Sequence, residues 1–247
     1  MSGKVALITG GVGGIGTAIC QRLAKDGFRI VATYIAMEAD GIPAWTDAQK
    51  ALGMDVTTVE LDVTDFAACE KTFAEVEGKV GPIEVLVNCA GITRDGTFKK
   101  MSLDNWKAVL STNLDSVFNT TRQVINGMLE RKSGRIINIS SINGRKGQFG
   151  QANYATAKAG MHGFTMSLAQ ETARKGITVN TISPGYIGTS MVMAIPEEVR
   201  NQIIAQIPIG RLGKPEEIGA LIAYLASDDA AFVTGANIDI NGGQFMG

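Results

Sequence analysis

Seven short runs of this 247-residue chain are largely apolar along their whole length instead of on alternate positions. They are "KVALITG" (Lys4 to Gly10), "RIVATY" (Arg29 to Tyr34), "VTTVELDV", "IEVLVNCAG" (Ile83 to Gly91), "GRIINISS" (Gly134 to Ser141), "ITVNTISPG" (Ile177 to Gly185) and "GANIDINGG". Strands without a polar face are buried on both sides, the condition of a parallel sheet covered by helices on each face. The segments between them supply the helices. Apolar periodicity near 3.6 runs from Gly14 to Lys25, through "AWTDAQKALG" to a stop at Gly53, and through "DFAACEKTFAEVEGKVG". It continues as one long helix from Leu103 to Lys132, then from Asn153 to Arg174, and through "KPEEIGALIAYLAS" with Pro215 in its first turn. The expected architecture is α/β, a doubly wound seven-stranded parallel sheet with helices on both faces. No repeat, low-complexity tract or Pro/Ser linker divides the chain, so one domain over 1–247 is expected, with an irregular polar stretch at about 188–213 as a small lid.

Composition removes several classes of function. Hydrophobic residues make up 45%, which excludes a disordered chain, and a net charge of −1 gives no general pull toward nucleic acid or anionic membrane. No apolar run approaches the roughly 20 residues of a membrane-spanning helix. The N-terminal "MSGKVALITGG" runs straight into the first strand, leaving no room for a signal peptide, so a cytoplasmic protein is expected. Cys20, Cys69 and Cys89 match no metal-ligand spacing and leave one thiol over in any disulfide scheme. The expectation is buried, reduced thiols and no metal site.

Between the first strand and first helix lies "TGGVGGIG", Thr9 to Gly16, with five glycines in seven residues from Gly10. A tight turn needs one or two. A glycine-rich turn at this place lets backbone approach a pyrophosphate, while the helix N-terminus offers free N–H groups and a positive dipole end. This marks a Rossmann-like nucleotide site. Two registers fit: G-x-G-x-x-G from Gly11, and G-x-x-x-G-x-G from Gly10. The first calls for an acid at the end of strand two, where Thr33 and Tyr34 stand instead; Glu38 and Asp40 come a few residues late.

"YATAK" sets Tyr154 and Lys158 at i and i+4, on one face of a helix. A phenol with a pKa near 10 is a poor acid–base catalyst at neutral pH, and an ammonium one turn away favours its phenolate. The expectation is a Tyr154 brought toward the working range by Lys158. Ser141 ends the fifth strand, at the carboxyl edge where ligands bind in open α/β sheets, with a hydroxyl suited to holding a substrate oxygen.

With these residues the chain resembles the short-chain dehydrogenase/reductase family over essentially its whole length. The family's T-G-x-x-x-G-x-G is matched by Thr9, Gly10, Gly14 and Gly16, which selects the second register and makes Gly11 and Gly13 variable positions. Its Tyr-x-x-x-Lys is Tyr154 to Lys158, its serine is Ser141, and "STNLDSVF" supplies as Asn113 the asparagine of a water-mediated proton relay. The resemblance implies a nicotinamide dinucleotide held by the loop, with Gly13 and Ile15 included, and by Tyr34 at the end of strand two. Asp62 would contact the adenine, and Val63, Asn88, Ala90 and Gly91 would also bind the cofactor. Tyr154, Lys158, Pro184, Gly185, Ile187 and Thr189 would surround the nicotinamide end. The fourth-strand motif departs from the family's N-N-A-G: Asn88-Cys89-Ala90-Gly91 keeps a small residue but loses a side-chain amide, implying local rearrangement without loss of activity.

Within the family the chain is similar to acetoacetyl-CoA reductases of polyhydroxybutyrate synthesis, above all in "KGQFGQ", and to 3-oxoacyl-(acyl-carrier-protein) reductases of fatty-acid synthesis. The first likeness implies NAD(P)H-dependent reduction of acetoacetyl-CoA, or a related short 3-oxoacyl thioester, to the (R)-3-hydroxy product. It implies a substrate site of Asp95, Ser141, Gln148, Phe149, Gln151, Gly185 and Tyr186. It also implies a homotetramer packed through the long helices and the C-terminal strand. A basic residue expected near Pro196 for the CoA phosphates is replaced by Glu197 and Glu198, leaving Lys99, Lys100 or Arg200 to substitute. NADPH needs a cation at its 2′-phosphate, and none stands in the loop or from Ile30 to Gln49, which favours NADH. His162, the single histidine, is read as a packing or interface residue, and Arg131, Lys132, Arg174 and Lys175 as solvated helix ends. A non-catalytic nucleotide-binding protein is the rival from another class; it predicts loss of Tyr154, Lys158 or Ser141, and all three are present.

Overall fold

A computed structural model describes residues 3–247; of the expected 1–247 domain, Met1 and Ser2 lie outside the described residues. The elements in chain order are β1 (Val5–Ile8), α1 (Gly14–Lys25), β2 (Arg29–Tyr34), α2 (Ile42–Ala51), β3 (Val56–Glu60), α3 (Phe66–Lys79) and β4 (Ile83–Asn88). Then come α4 (Leu103–Leu110), α5 (Ser116–Arg131), β5 (Gly134–Ile139), α6 (Asn143–Lys146), α7 (Ala152–Thr172) and β6 (Ile177–Pro184). The chain closes with α8 (Ser190–Met193), α9 (Glu197–Ala205), α10 (Pro215–Ala226) and β7 (Asn237–Ile240).

The strands form one seven-stranded sheet in the order β3-β2-β1-β4-β5-β6-β7, and every pairing is parallel. The absence of a polar face along these strands has the expected cause. In β1, Ala6 and Ile8 enter one core with Ile19 and Leu23 of α1 and Ile218 and Ile222 of α10. Val5 and Leu7 enter the opposite core with Phe73 of α3, Val124 and Met128 of α5, and Ala169 of α7. Alternate side chains point to opposite faces, so a strand apolar at every position feeds two cores at once. Each fully buried aliphatic side chain contributes about 1.5–3 kcal/mol.

Three expectations need correction. The long helix read from Leu103 to Lys132 is broken by a π-helical turn at Ser111–Asp115, carrying Asn113. No Pro or Gly announces it; a π turn shifts the hydrogen-bond register within otherwise helical backbone, and the apolar periodicity conceals it. The stretch at 188–213, read as irregular, contains α8 and α9. Ser141 lies two positions past the end of β5, which stops at Ile139. Cys20 and Cys69 are buried and Cys89 is half-buried; none is paired. Among the described residues no cluster of His, Cys, Asp and Glu is placed to hold a metal, and no helix is long and apolar enough to cross a membrane.

Candidate active site

The chain winds from β1 through β2 to β3 and then returns beside β1 as β4, so the strand order reverses between β1 and β4. A crevice opens at the carboxyl ends of strands at such a point. Here it is a cleft of about 620 Å³ lined by Gly10, Tyr34, Asp62, Ala90 and Gly91, all expected there, together with Glu38 and Thr112.

Two threonines fix its floor. The Thr9 hydroxyl accepts the backbone N–H groups of Cys89 (3.0 Å) and Ala90 (3.1 Å), tying the loop after β4 to the end of β1. At residue 89 the anchor uses only the backbone N–H, so the cysteine in place of an asparagine leaves it intact, and the Cys89 side chain packs against the core. The Thr33 hydroxyl accepts the N–H of Gly10 at 3.2 Å. A Cβ on Gly14 would lie 2.9 Å from Thr189 Cγ2, which shows the glycine loop seated against the segment expected at the nicotinamide end. A Cβ on Gly11 would lie 2.7 Å from that of Ala32. Gly11 is therefore a required glycine in this chain, whereas the motif alone makes it variable; Gly13 meets nothing closer than 3.4 Å.

The crevice fits a dinucleotide. The 12-residue α1 begins at the end of the loop and offers the N–H groups of its first turn, which have no partner within the helix, and no side chain of Gly13 or Gly14 stands in the way. Asp62 projects at the exposed rim, with one carboxylate oxygen accepting from Thr64 N and Oγ1, while Val63 is buried. Asn88 departs from its expected role. Its amide turns into the protein, donating to Asn138 Oδ1 (2.9 Å) and accepting from Thr120 Oγ1 (2.7 Å), and the cleft is lined by Ala90 and Gly91 beyond it.

Ser141, Tyr154 and Lys158 converge beyond this floor. Lys158 is 4% exposed; its Nζ donates to the Ile139 carbonyl at 2.7 Å and stands 5.6 Å from the Tyr154 ring centre. Burial pushes the lysine down to about 8. Burial also pushes the Tyr154 phenol up to about 12, against the lowering influence of the Ser141 hydroxyl and with the Asp95 carboxylate adding to the rise. The expected lowering of Tyr154 by Lys158 is thus not what this arrangement gives. Removal of water penalises the phenolate more than its neighbours favour it. Asn113, fully buried, brackets residue 92: its Oδ1 accepts Ile92 N–H and its Nδ2 donates to the Ile92 carbonyl, both at 2.8 Å. A Cβ on Gly91 would touch both Asn113 Oδ1 (2.9 Å) and Lys158 Nζ (3.5 Å), so these three meet.

Of the substrate candidates, the structure gathers Asp95, Gln151, Tyr186 and Gly185. Gln151 donates to Asp95 Oδ2 (2.9 Å) and accepts from Asn143 Nδ2 (2.8 Å). Burial and Asp95 both raise the Tyr186 phenol. Gly185 is backed by Asn241 so closely that a Cβ would lie 2.9 Å from it. Gln148 and Phe149 stand outside this group, on an exposed rim, Phe149 at 86% exposure. Pro184 accepts Ile142 N–H, and Ile187 buries its side chain in the core, leaving backbone at the site. Arg200 Nη1 donates to the Met193 and Ile195 carbonyls, which ties the guanidinium to the turn between α8 and α9. Lys99 and Lys100 are exposed. Sequence reading passed over Thr33, Asn143 and the fully buried Asn153, which donates to the Arg94 carbonyl and accepts the N–H of Tyr154. The one signal for them is a polar residue at a position facing the interior.

A family model described as enoyl-(acyl carrier protein) reductase matches residues 11–244. The chain is 58% identical to an acetoacetyl-CoA reductase of Allochromatium vinosum, over 98% of this chain and 99% of that one. It is 56% identical to an acetoacetyl-CoA reductase of Cupriavidus necator over the whole of both chains. It is 43% identical to a 3-oxoacyl-(acyl-carrier-protein) reductase of Vibrio cholerae, over all of this chain and 99% of that one. Together with the parallel sheet, the glycine loop and the Tyr154–Lys158 pair, these matches establish that the chain belongs to the short-chain dehydrogenase/reductase family of NAD(P)H-dependent oxidoreductases.

Proposed function

We propose that this protein reduces acetoacetyl-CoA to (R)-3-hydroxybutyryl-CoA in the cytoplasm, using NADH in preference to NADPH, as a step of polyhydroxybutyrate synthesis. The observation that carries the reaction is a protonated Tyr154 whose ring centre lies 5.6 Å from the buried Lys158 ammonium, with Ser141 among the groups that influence its phenol. The acetoacetyl-CoA reductases among its relatives support the substrate.

The loop Gly10 to Gly16 and the N-terminus of α1 would hold the pyrophosphate, Asp62 and Val63 would border the adenine half, and the Pro184 to Thr189 segment would border the nicotinamide. When bound, the dinucleotide supplies the hydride. The Ser141 hydroxyl holds the substrate carbonyl oxygen. Tyr154, kept protonated by burial, donates its proton to that oxygen as negative charge develops there. Lys158, still mostly charged at pH 7 with a pKa of about 8, faces the phenolate left behind. Asn113 holds the loop at residue 92 against this pair and supports reprotonation. Asp95, Gln151 and Tyr186 orient the thioester, Phe149 and the 188–213 lid close over the acyl chain, and Lys99 and Lys100 meet the CoA phosphates.

The cofactor preference rests on charge. The cleft at the end of β2 is bordered by Tyr34, Ile35, Ala36, Met37 and Glu38, and no Lys or Arg lines it. The Glu38 carboxylate accepts Ile35 N–H at 3.0 Å, which fixes a negative charge where a 2′-phosphate would lie. A homotetramer formed through α5, α7 and the C-terminal strand is supported by the exposed Phe118 and Met166 on the two helices. The deciding experiment is kcat/KM for acetoacetyl-CoA and for a carrier-bound 3-oxoacyl thioester, each with NADH and NADPH. Preference for the carrier-bound substrate overturns the CoA assignment, and preference for NADPH overturns the charge argument.

A further inference from the structure

His162 stands on α7 one helical turn past Lys158, on the same face of the helix. Its Nε2 lies 3.0 Å from Ser140 Oγ and 3.5 Å from Ser183 Oγ. Both hydroxyls have already spent their single proton. Ser140 donates to the Lys158 carbonyl at 2.8 Å, and Ser183 donates to Asn237 Oδ1 at 2.8 Å. Each can only accept from the imidazole, so the ring carries its proton on Nε2 and bridges the two serines as a shared donor.

The bridge joins the three segments that make the site. Ser140 is the neighbour of Ser141. Ser183 is the neighbour of Pro184, whose carbonyl accepts Ile142 N–H at 2.8 Å on the other side of Ser141. The helix itself carries Tyr154 and Lys158. We propose that His162 is a positioning residue: its Nε2–H fixes the Ser140–Ile142 segment and the end of β6 against α7, and so sets the place of Ser141 relative to Tyr154. This rests on the catalytic roles given above. The charged groups facing the ring are Arg145 of α6 and Asp239 of β7, which pair with each other at 3.5 Å. Burial and Arg145 hold the histidine below its ordinary value against the opposing pull of Asp239, which keeps the ring neutral.

Kinetics and the titration of the chain's one histidine test this. In His162→Leu, kcat for acetoacetyl-CoA falls by about 10- to 100-fold, the scale of a small misplacement of reacting groups, while KM for NADH stays within about twofold. His162→Gln, which keeps an N–H donor, retains most of the activity. Ser140→Ala reproduces the loss, and the double variant is no worse than either single one. Should His162→Leu fail to fold, Ser140→Ala and His162→Gln decide alone. By NMR the ring is the Nε2–H tautomer at neutral pH and titrates below 6.5, and Arg145→Gln moves the titration upward. A His162→Leu variant with wild-type kcat, or a ring in the other tautomer, overturns the proposal. An inactive wild-type protein defeats the functional reading instead, and the NMR outcome still decides the bridge.

Discussion

Replacing Lys158 by methionine should make the folded protein more stable at neutral pH while disabling it. The side chain stays unbranched, ends one heavy atom shorter and loses its charge. Folding holds the ammonium at about 8 against an ordinary 10.5, so the unfolded chain binds this proton more tightly than the native one. Stability therefore rises with pH across the window from about 8 to 10.5 and is lowest below it. At pH 7, under both values, the difference of about 2.5 (10.5 − 8) corresponds to about 3 kcal/mol against the folded state. Methionine removes that cost but leaves the Ile139 carbonyl without its 2.7 Å donor, a loss of about 1 kcal/mol. The net gain of about 2 kcal/mol raises Tm by roughly 4–8 °C for a domain of this size. At pH 10 the cost carried by the wild type has shrunk to about 1 kcal/mol, and the two proteins should melt together. The assay is paired thermal denaturation at pH 7 and pH 10, in matched buffers so that other titrations cancel in the difference. A variant less stable than wild type at pH 7, or a gap in Tm that ignores pH, refutes the reasoning. Reductase activity should be nearly lost throughout.

The same lysine sets an alkaline limb: kcat/KM for the thioester should fall above a pH of about 8 as the ammonium deprotonates, and a profile flat to pH 10 would contradict the role given to its charge. Tyr154→Phe should lower kcat by about 10²- to 10⁴-fold with little change in NADH binding, measured by fluorescence titration. Gly144→Ala would place a Cβ 2.9 Å from the Lys158 carbonyl carbon and Ala159 nitrogen of α7, so the α6 segment must lift away at a cost of about 1–3 kcal/mol in denaturant unfolding. Glu38→Gln removes the fixed charge at the end of β2 and should raise kcat/KM for NADPH by about tenfold, leaving NADH within about twofold.

What the sequence alone determined are features set by backbone geometry over a few residues. The bounds of α1 and β2 are read without error because apolar periodicity and glycine placement are local. Tyr154 and Lys158 share a face because residues four apart on a helix must. A strand apolar at every position must be buried on both sides, which gives the parallel sheet. Only the tertiary structure decided the rest. The π turn at Asn113 serves a contact 21 positions away at Ile92, and the anchor of the loop at Cys89 is a threonine 80 positions earlier. Gly11 is required because Ala32 lies beneath it, and the Asn88 amide faces Asn138 instead of the crevice. The phenol of Tyr154 rises instead of falling because the water excluded around it is a sum over atoms from many segments. The spacing of a motif places two charges together, but the dielectric that decides which of them survives is set by the packed fold.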